Sequence, residues 1–537
     1  MIVLSPTRME VAVSSDRKRG RLEGRAGQGA ALAGIAGAGY LAARVRSVMK
    51  DLSTPESPFQ WKPERGHSVF LKGANLLDVK RGQILKERGI LFSDGQIREI
   101  VATRDLDKVS ADRTFDCGGL FVIPGLINCH VHATMPGTAL LGFDVALSLK
   151  RQAVRNLEEC PIHGVTTVRD AGGCSQILNN LSQAVERFEL LGPRVVGCGA
   201  SLKPRGGYPE FSHQLPPFLS RKIGDASLYV DSPESGRLAV QQAIDQGARF
   251  IKMFFDDRSL FFGHKPLPIL DDDSVRAIVD EAHRLGRRVA VHQSQLEGFR
   301  RAARLGVDDF EHVPIDAFLE SSDIESFMAG DHNLTPTISV GMALGIARRG
   351  HPALSDPVVN AMQAERDQVL GQMAPAFCEP AVQRANSKMV ELYLDGKADV
   401  ARLSKSLFDP EPYINSFGKK NPNINSLYKA GARICCGNDG GVPLSWPGML
   451  SVEMKLMERF EMSRIDILRA ATINAARLLD MESELGSIEP GKHADLVLLS
   501  ADPTKDIRAV ERIEAVFRSG ALLHSGGAFK RSDAGGR

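Results

Sequence analysis

An alternation constrains this chain more than any other feature. Eight short apolar runs recur along it: FVIPGLINCHVH, GVTTVRDAGG, PRVVGCGAS, ARFIKMFF, RVAVHQS, DDFEHVP, LTPTISV and ARICCGNDGG. Short apolar runs of this kind suit buried strands. Between them lie segments such as DDSVRAIVDEAHRLG and LEGFRRAARLG, whose apolar residues have helical spacing and which end in Gly, as helix C-termini do. Eight strand–helix units from about Phe121 to Asp480 specify an α/β fold, a (β/α)8 TIM-like barrel. The seventh and eighth runs are anomalously far apart, by about 90 residues. That insertion, at about 347–425, contains helical text such as AVQRANSKMVELYLDGK and sits where a barrel carries its active-site loops. It reads either as a lid or pocket wall or as a contact between subunits.

From Ser68 the text is β-rich: SVFLKGANLLD, then GILFS, an Asp94-Gly95 turn and QIREIVA, a hairpin pattern. β-rich text returns at the far end as GSIEPGKHADLVLLSADP and IEAVFRSGALL. A helical stretch, SRIDILRAATINAARLLD, precedes it with Ser463 as N-cap. The expectation is a small discontinuous β-sandwich, 68–120 with 481–525, flanking a barrel over 121–480. Residues 1–60 read as an extension, either disordered or upstream of a start at Met49, with a targeting role as the alternative.

The 537 residues carry 67 Lys and Arg against 65 Asp and Glu, a net charge of +2, with 43% hydrophobic residues. These values exclude a disordered or collagen-like chain. Near-neutral balance removes the electrostatic motive for wrapping nucleic acid, so the expected partner is a small-molecule substrate held in a pocket. Residues 26–43 are uncharged but dominated by Ala and Gly, too weakly apolar for a spanning helix, and no membrane association is expected. Eight cysteines without a CxxC pair match a reduced, cytoplasmic compartment.

Barrel enzymes draw catalytic residues from the carboxyl ends of different strands. Here the first run ends His130-Val131-His132, and residues two apart in a strand share a face. The fifth and sixth runs add His292 and His312, the fourth carries Lys252, and the eighth ends with Asp439. Four imidazoles and a carboxylate suit zinc or a similar borderline metal rather than calcium or magnesium. A buried lysine is costly unless paired or deprotonated. Carbon dioxide converts a neutral lysine into an anionic carbamate able to bridge two metals, which would make the site binuclear.

The texts PGLINCHVH, GVTTVRDAGG, FIKMF, VAVHQ, FEHV, GNDGG and GSIEPGKHADLVLL, in this order, resemble the amidohydrolase superfamily of metal-dependent hydrolases, in its imidazolonepropionase-like and Xaa-Pro dipeptidase-like branch. The resemblance runs from about Ser68 to Leu523. It implies two divalent metal ions, with His130 and His132 on one, His292 and His312 on the other, carboxylated Lys252 between them and Asp439 beside the first. It further implies hydrolysis of an amide, peptide-like or N-acyl amino-acid C–N bond by a metal-bridging hydroxide, Asp439 relaying a proton to the leaving nitrogen. A homo-oligomer is common among such proteins.

Three positions depart from the family habit: Asn128 stands where many relatives have Asp, Tyr208 where many have His, and Ser294 where a second histidine is frequent. Tyr208 and Arg205 are candidate substrate contacts, the latter as a carboxylate clamp. Arg169 and Asp170 read as a loop-supporting pair, and RRAAR at 300–304 as a solvated helix face. Lactone, ester or cyclic-amide hydrolysis is the rival chemistry on the same site. A catalytically silent scaffold is the rival of another class.

Overall fold

The computed structural model describes residues 66–140, 143–209, 227–258, 266–345, 347, 349–395, 411–417 and 421–526. The extension expected over 1–60 lies outside them. Both ends of the described chain enter one eight-stranded sheet. It contains β1 (Ser68–Asp78), β2 (Gln83–Ser93), β3 (Gln96–Val101), β4 (Arg113–Asp116) and β5 (Phe121–Pro124), with β16 (Leu496–Leu499), β17 (Ile513–Arg518) and β18 (Ala521–Ser525). The order is β18-β17-β16-β5-β1-β2-β3, with β4 beside β1. Its strands share a core of their own that includes Leu71, Phe92, Phe115, Leu498 and Phe517. The expected hairpin is present. Asp94 and Gly95 both take left-handed backbone, φ 51° and 77°, between the paired Ser93 and Gln96, the conformation that matches a two-residue turn to strand twist.

Parallel strands fill the middle of the chain. β6 (Leu126–Val131), β7 (Val165–Asp170) and β8 (Arg194–Gly197) make a three-stranded sheet. A seven-stranded one contains β9 (Ser201–Lys203), β10 (Ser227–Tyr229), β11 (Ile251–Phe254), β12 (Val289–His292), β13 (Asp309–Glu311), β14 (Asn333–Thr335) and β15 (Arg433–Ile434), in the order β10-β9-β11-β12-β13-β14-β15. Every expected run carries a strand, and β6, β7, β11, β13 and β14 are buried throughout, as parallel strands covered on both faces must be. Single backbone bonds link the two sheets. Cys129 N–H donates to Cys436 O (2.9 Å), His132 N–H to Gly440 O (2.6 Å) and Arg249 N–H to Gly197 O (2.9 Å).

Local details differ from the sequence reading for physical reasons. The first run divides at Gly125: β5 pairs antiparallel with β16 in the terminal sheet, whereas β6 pairs parallel with β7. The helix opened by Ser463, whose side chain accepts from Asp466 N–H, ends at Ala470 and resumes at Ile473. The carbonyls of Ala470 and Ala471 accept from Cys436 and Ile127 instead of continuing the helix. Arg301 is no solvated residue. It is buried, packs 4.7 Å over the Phe255 ring and donates to Asp272 (2.7 Å).

The described part of the insertion is helical, including Pro357–Gln368, Pro380–Asp395 and Glu411–Phe417. Several side chains tie it to the rest of the chain. Gln152 donates to Phe377 O (2.8 Å) and accepts from Glu379 N–H (2.7 Å). Asn386 Nδ2 donates to Gly137 O (2.9 Å), on the loop that follows His132.

Candidate metal centre

His130 ends β6 one residue before its last, and His132 follows that strand. Each imidazole is pinned through Nδ1. His130 Nδ1 meets Glu311 Oε2 at 2.5 Å, and His132 Nδ1 meets the carbonyl of Gly172 at 2.6 Å. A carbonyl oxygen only accepts, so His132 Nδ1 carries a hydrogen, and in the neutral imidazole the lone pair is then on Nε2. Glu311 imposes the same tautomer on His130. Burial alone would raise the Glu311 carboxyl, but His130 and Arg169 outweigh it and hold it well below the usual carboxylate range. It therefore accepts rather than donates.

The two Nε2 atoms face one carboxylate oxygen. His130 Nε2 lies 3.3 Å and His132 Nε2 3.2 Å from Asp439 Oδ1. Donor atoms about 2.0–2.1 Å from the centre of a tetrahedral zinc site are about 3.3 Å apart, the separation that each imidazole nitrogen has from the carboxylate oxygen. Asp439 Oδ1 is buried and has no hydrogen-bond donor. A cation is the partner that such an oxygen and two lone-pair nitrogens share.

Glycine makes this convergence possible. In GNDGG, a Cβ on Gly437 would lie 2.8 Å from His130 N, and one on Gly441 (φ 115°) would collide with the His132 carbonyl. Asn128 ties the same loop to β6: its Nδ2 donates to Asn438 Oδ1 (2.8 Å) and to Pro447 O (2.9 Å). An aspartate there would offer no donor to either acceptor.

A second group adjoins the first. The His292 and His312 rings are 4.6 Å apart between centroids, and His312 lies 5.1 Å from His130. His312 Nδ1 meets Thr337 Oγ1 at 2.6 Å, and burial holds the imidazole well below its usual range, hence neutral. Lys252 and Phe254 pair in register with Ala290 and His292, so Lys252 shares the face of β11 that meets His292. Its Nζ is buried without a hydrogen-bond partner, and burial lowers its pKa. His130, His132 and Asp439 have ligand atoms within 4.8 Å of one another, and His292 and His312 stand outside that group. His312, Thr337 and Asp439 all take left-handed backbone, φ 71°, 49° and 53°, a strain of about 1–3 kcal/mol each that concentrates at functional sites.

Comparison with known proteins identifies the family. Residues 121–523 match the model of the amidohydrolase family. The chain belongs to the amidohydrolase family. Ochratoxinase from Aspergillus niger is 23% identical over 475 residues, 82% of this chain and 83% of that protein. An imidazolonepropionase from Shouchella clausii is 32% identical over 112 residues, covering 20% of this chain and 24% of the relative. Among solved structures, a prolidase complexed with N-methylphosphonate-L-proline superposes with a TM-score of 0.62 at 25% identity, over 86% of this chain and all of that one. A Xaa-Pro dipeptidase with methionine in its active site gives 0.63 at 23%, with the same coverage, which supports the fold. As an amidohydrolase, the protein is an enzyme that hydrolyses carbon–nitrogen bonds.

The remaining site residues of this amidohydrolase fall in different places. The Tyr208 ring stacks on His292, 4.6 Å between centroids at 22°. Lys203, fully buried, donates to the carbonyls of Gly207 (3.2 Å) and Pro209 on either side of Tyr208. Burial pushes the Tyr208 phenol up, and Tyr413, from the insertion helix Glu411–Phe417, is raised by burial first and then by Asp439 and Asp256. The insertion reaches the loop that follows His132 through Asn386, which donates to Gly137 O. Arg205 is exposed, its guanidinium 4.6 Å over the Tyr229 ring. Arg169 does not pair with Asp170. It donates to Glu311 and to Asp309 (2.8 Å), while Asp170 accepts from Ala133 N–H (2.7 Å) and Gly172 N–H (3.1 Å). Glu311, Asp256 and Thr337 were not read as site residues from sequence. The one signal for Glu311 was its place directly before His312.

Proposed function

We propose that this amidohydrolase is a metal-dependent hydrolase that cleaves an amide, peptide-like or N-acyl amino-acid C–N bond of a small molecule. The observation that carries the reading is the meeting of His130 Nε2, His132 Nε2 and Asp439 Oδ1, with each imidazole committed to a bare Nε2 by a fixed partner on Nδ1. These three residues would hold one divalent ion, zinc by its donor set. His292 and His312 would hold a second, with Lys252 between them as a carbamate. The Lys252 amine is unpartnered and burial lowers its pKa; once deprotonated it has the lone pair to add to carbon dioxide, losing a proton as the N–C bond forms. Divalent ions in this position supply Lewis acidity and lower the pKa of water toward neutrality.

The chain's own residues then divide the work. The Asp439 carboxylate takes the proton released on attack at the carbonyl and delivers it to the leaving nitrogen. Tyr208, held between two carbonyls that Lys203 fixes, presents a protonated phenol beside His292 that can donate to the developing oxyanion. Tyr413 and the Asn386–Gly137 contact make the insertion the wall of the substrate pocket.

In the same reading, the two parallel sheets are arcs of one (β/α)8 barrel, the terminal sheet folds over its core as a sandwich, and the protein acts as a cytoplasmic homo-oligomer. A panel of N-acyl amino acids, dipeptides and lactones, assayed before and after chelation, tests the chemistry. Cleavage of C–N substrates that stops on chelation and returns with zinc is expected. Hydrolysis confined to lactones, or indifferent to chelation, would overturn it.

A further inference from the structure

We infer that Asp256 is a positioning residue that fixes the His292 tautomer and so sets the affinity of the second metal site. The inference rests on the reading of His292 as a metal ligand. Asp256 lies two residues beyond the end of β11 and is buried, 2% exposed. Its Oδ2 is 3.0 Å from His292 Nε2. Ser294 holds the carboxylate twice: its backbone N–H donates to Oδ1 (2.8 Å) and its hydroxyl to Oδ2 (2.5 Å). Ser294 is one of the positions where this chain departs from the family habit, and the structure gives it this task.

The geometry decides which imidazole nitrogen is free. A carboxylate accepts only, so the His292 nitrogen facing Asp256 carries the hydrogen, and Nδ1 keeps the lone pair for a metal. The ring cannot swivel, because Tyr208 covers one face at 4.6 Å and His312 stands 4.6 Å away, edge to face. His292 thus presents the nitrogen opposite to the one that His130 and His132 present. Carboxylate–histidine–metal relays of this kind raise ligand basicity, and their loss weakens metal binding about 10–100-fold. In Asp256→Asn, the amide can accept from His292 only by turning its NH2 toward Ser294 N–H, a donor against a donor. Turned the other way, it forces the hydrogen onto Nδ1.

Zinc titration of chelator-stripped protein, read as two binding constants for parent, D256N and S294A, tests this. Expected is a first constant unchanged in all three, a second weakened about 10–100-fold in D256N, and a smaller weakening in S294A. S294A leaves every charge in place and keeps the test readable should D256N not fold. In 15N-histidine-labelled, zinc-loaded parent, a slowly exchanging proton on His292 Nε2 is expected. Two zinc ions in the parent with both constants unmoved by either variant, or a His292 proton on Nδ1, would overturn the role of Asp256 and leave the metal reading intact. Binding of fewer than two zinc ions by the parent would overturn both.

Discussion

Glu311→Gln is the most demanding test of how the first histidine is set. Glu311 is fully buried and serves two donors at once, His130 Nδ1 at 2.5 Å and the Arg169 guanidinium. A glutamine side chain fits the same space but carries one acceptor and one donor end. If its oxygen faces Arg169, its NH2 faces His130 Nδ1, and the hydrogen must move to Nε2, the nitrogen aimed at Asp439. If its oxygen faces His130, two donors meet at Arg169, whose charge is then left to Asp309 alone. Removing one partner of a buried ion pair costs about 3–5 kcal/mol, and loss of the orienting carboxylate weakens metal binding about 10–100-fold. Urea denaturation of metal-stripped parent and E311Q isolates the first effect, and zinc titration the second. A variant as stable as the parent that binds its first zinc as tightly would refute the argument that Glu311 fixes the His130 tautomer.

Asp439→Asn should reduce kcat by about 10²–10⁴-fold, the range lost with a general acid–base, while zinc analysis finds most of the metal retained. Thr337→Gly removes the left-handed strain at φ 49° but also the hydroxyl on His312; chemical denaturation should stay within about 1 kcal/mol of the parent as zinc binds about 10-fold more weakly at the second site. Glu453, which accepts from Ile338 N–H (2.8 Å) and Ser339 N–H (2.7 Å), is raised by burial from 4.5 to about 7. Its folded form holds the proton more tightly than the unfolded chain does, so that stability is complete below pH 4.5 and is lost as pH rises through 7. The loss amounts to roughly 3 kcal/mol. Urea midpoints of parent and E453Q should therefore diverge, with the variant gaining relative to the parent from pH 4.5 to pH 8; parallel curves would contradict this.

The sequence carried the strand positions because buried parallel strands are written as continuous apolar runs, and the Asp94-Gly95 turn because few residues take its backbone. It also carried His130, His132 and Asp439, since strand ends fix where such residues go. It could not carry Glu311, Arg169 or Asp256. Glu311 and His130 are 181 residues apart and Arg169 and Glu311 are 142 apart, so nothing local marks the contacts. Arg169 next to Asp170 read as a pair because adjacency is visible in text, whereas alternation in β7 sends the two side chains to opposite faces. The break at Ala471 was hidden for a similar reason: the text is helical throughout, and only the competing donors from β6 and Cys436 interrupt it.

The most direct test of the metal-dependent account is metal content per chain, by mass spectrometry, for protein purified without chelators, in the parent and in Lys252→Ala. About two divalent ions are expected in the parent, with a clear drop in the variant. A parent that holds none after zinc is supplied, or a content that Lys252→Ala does not change, would contradict it.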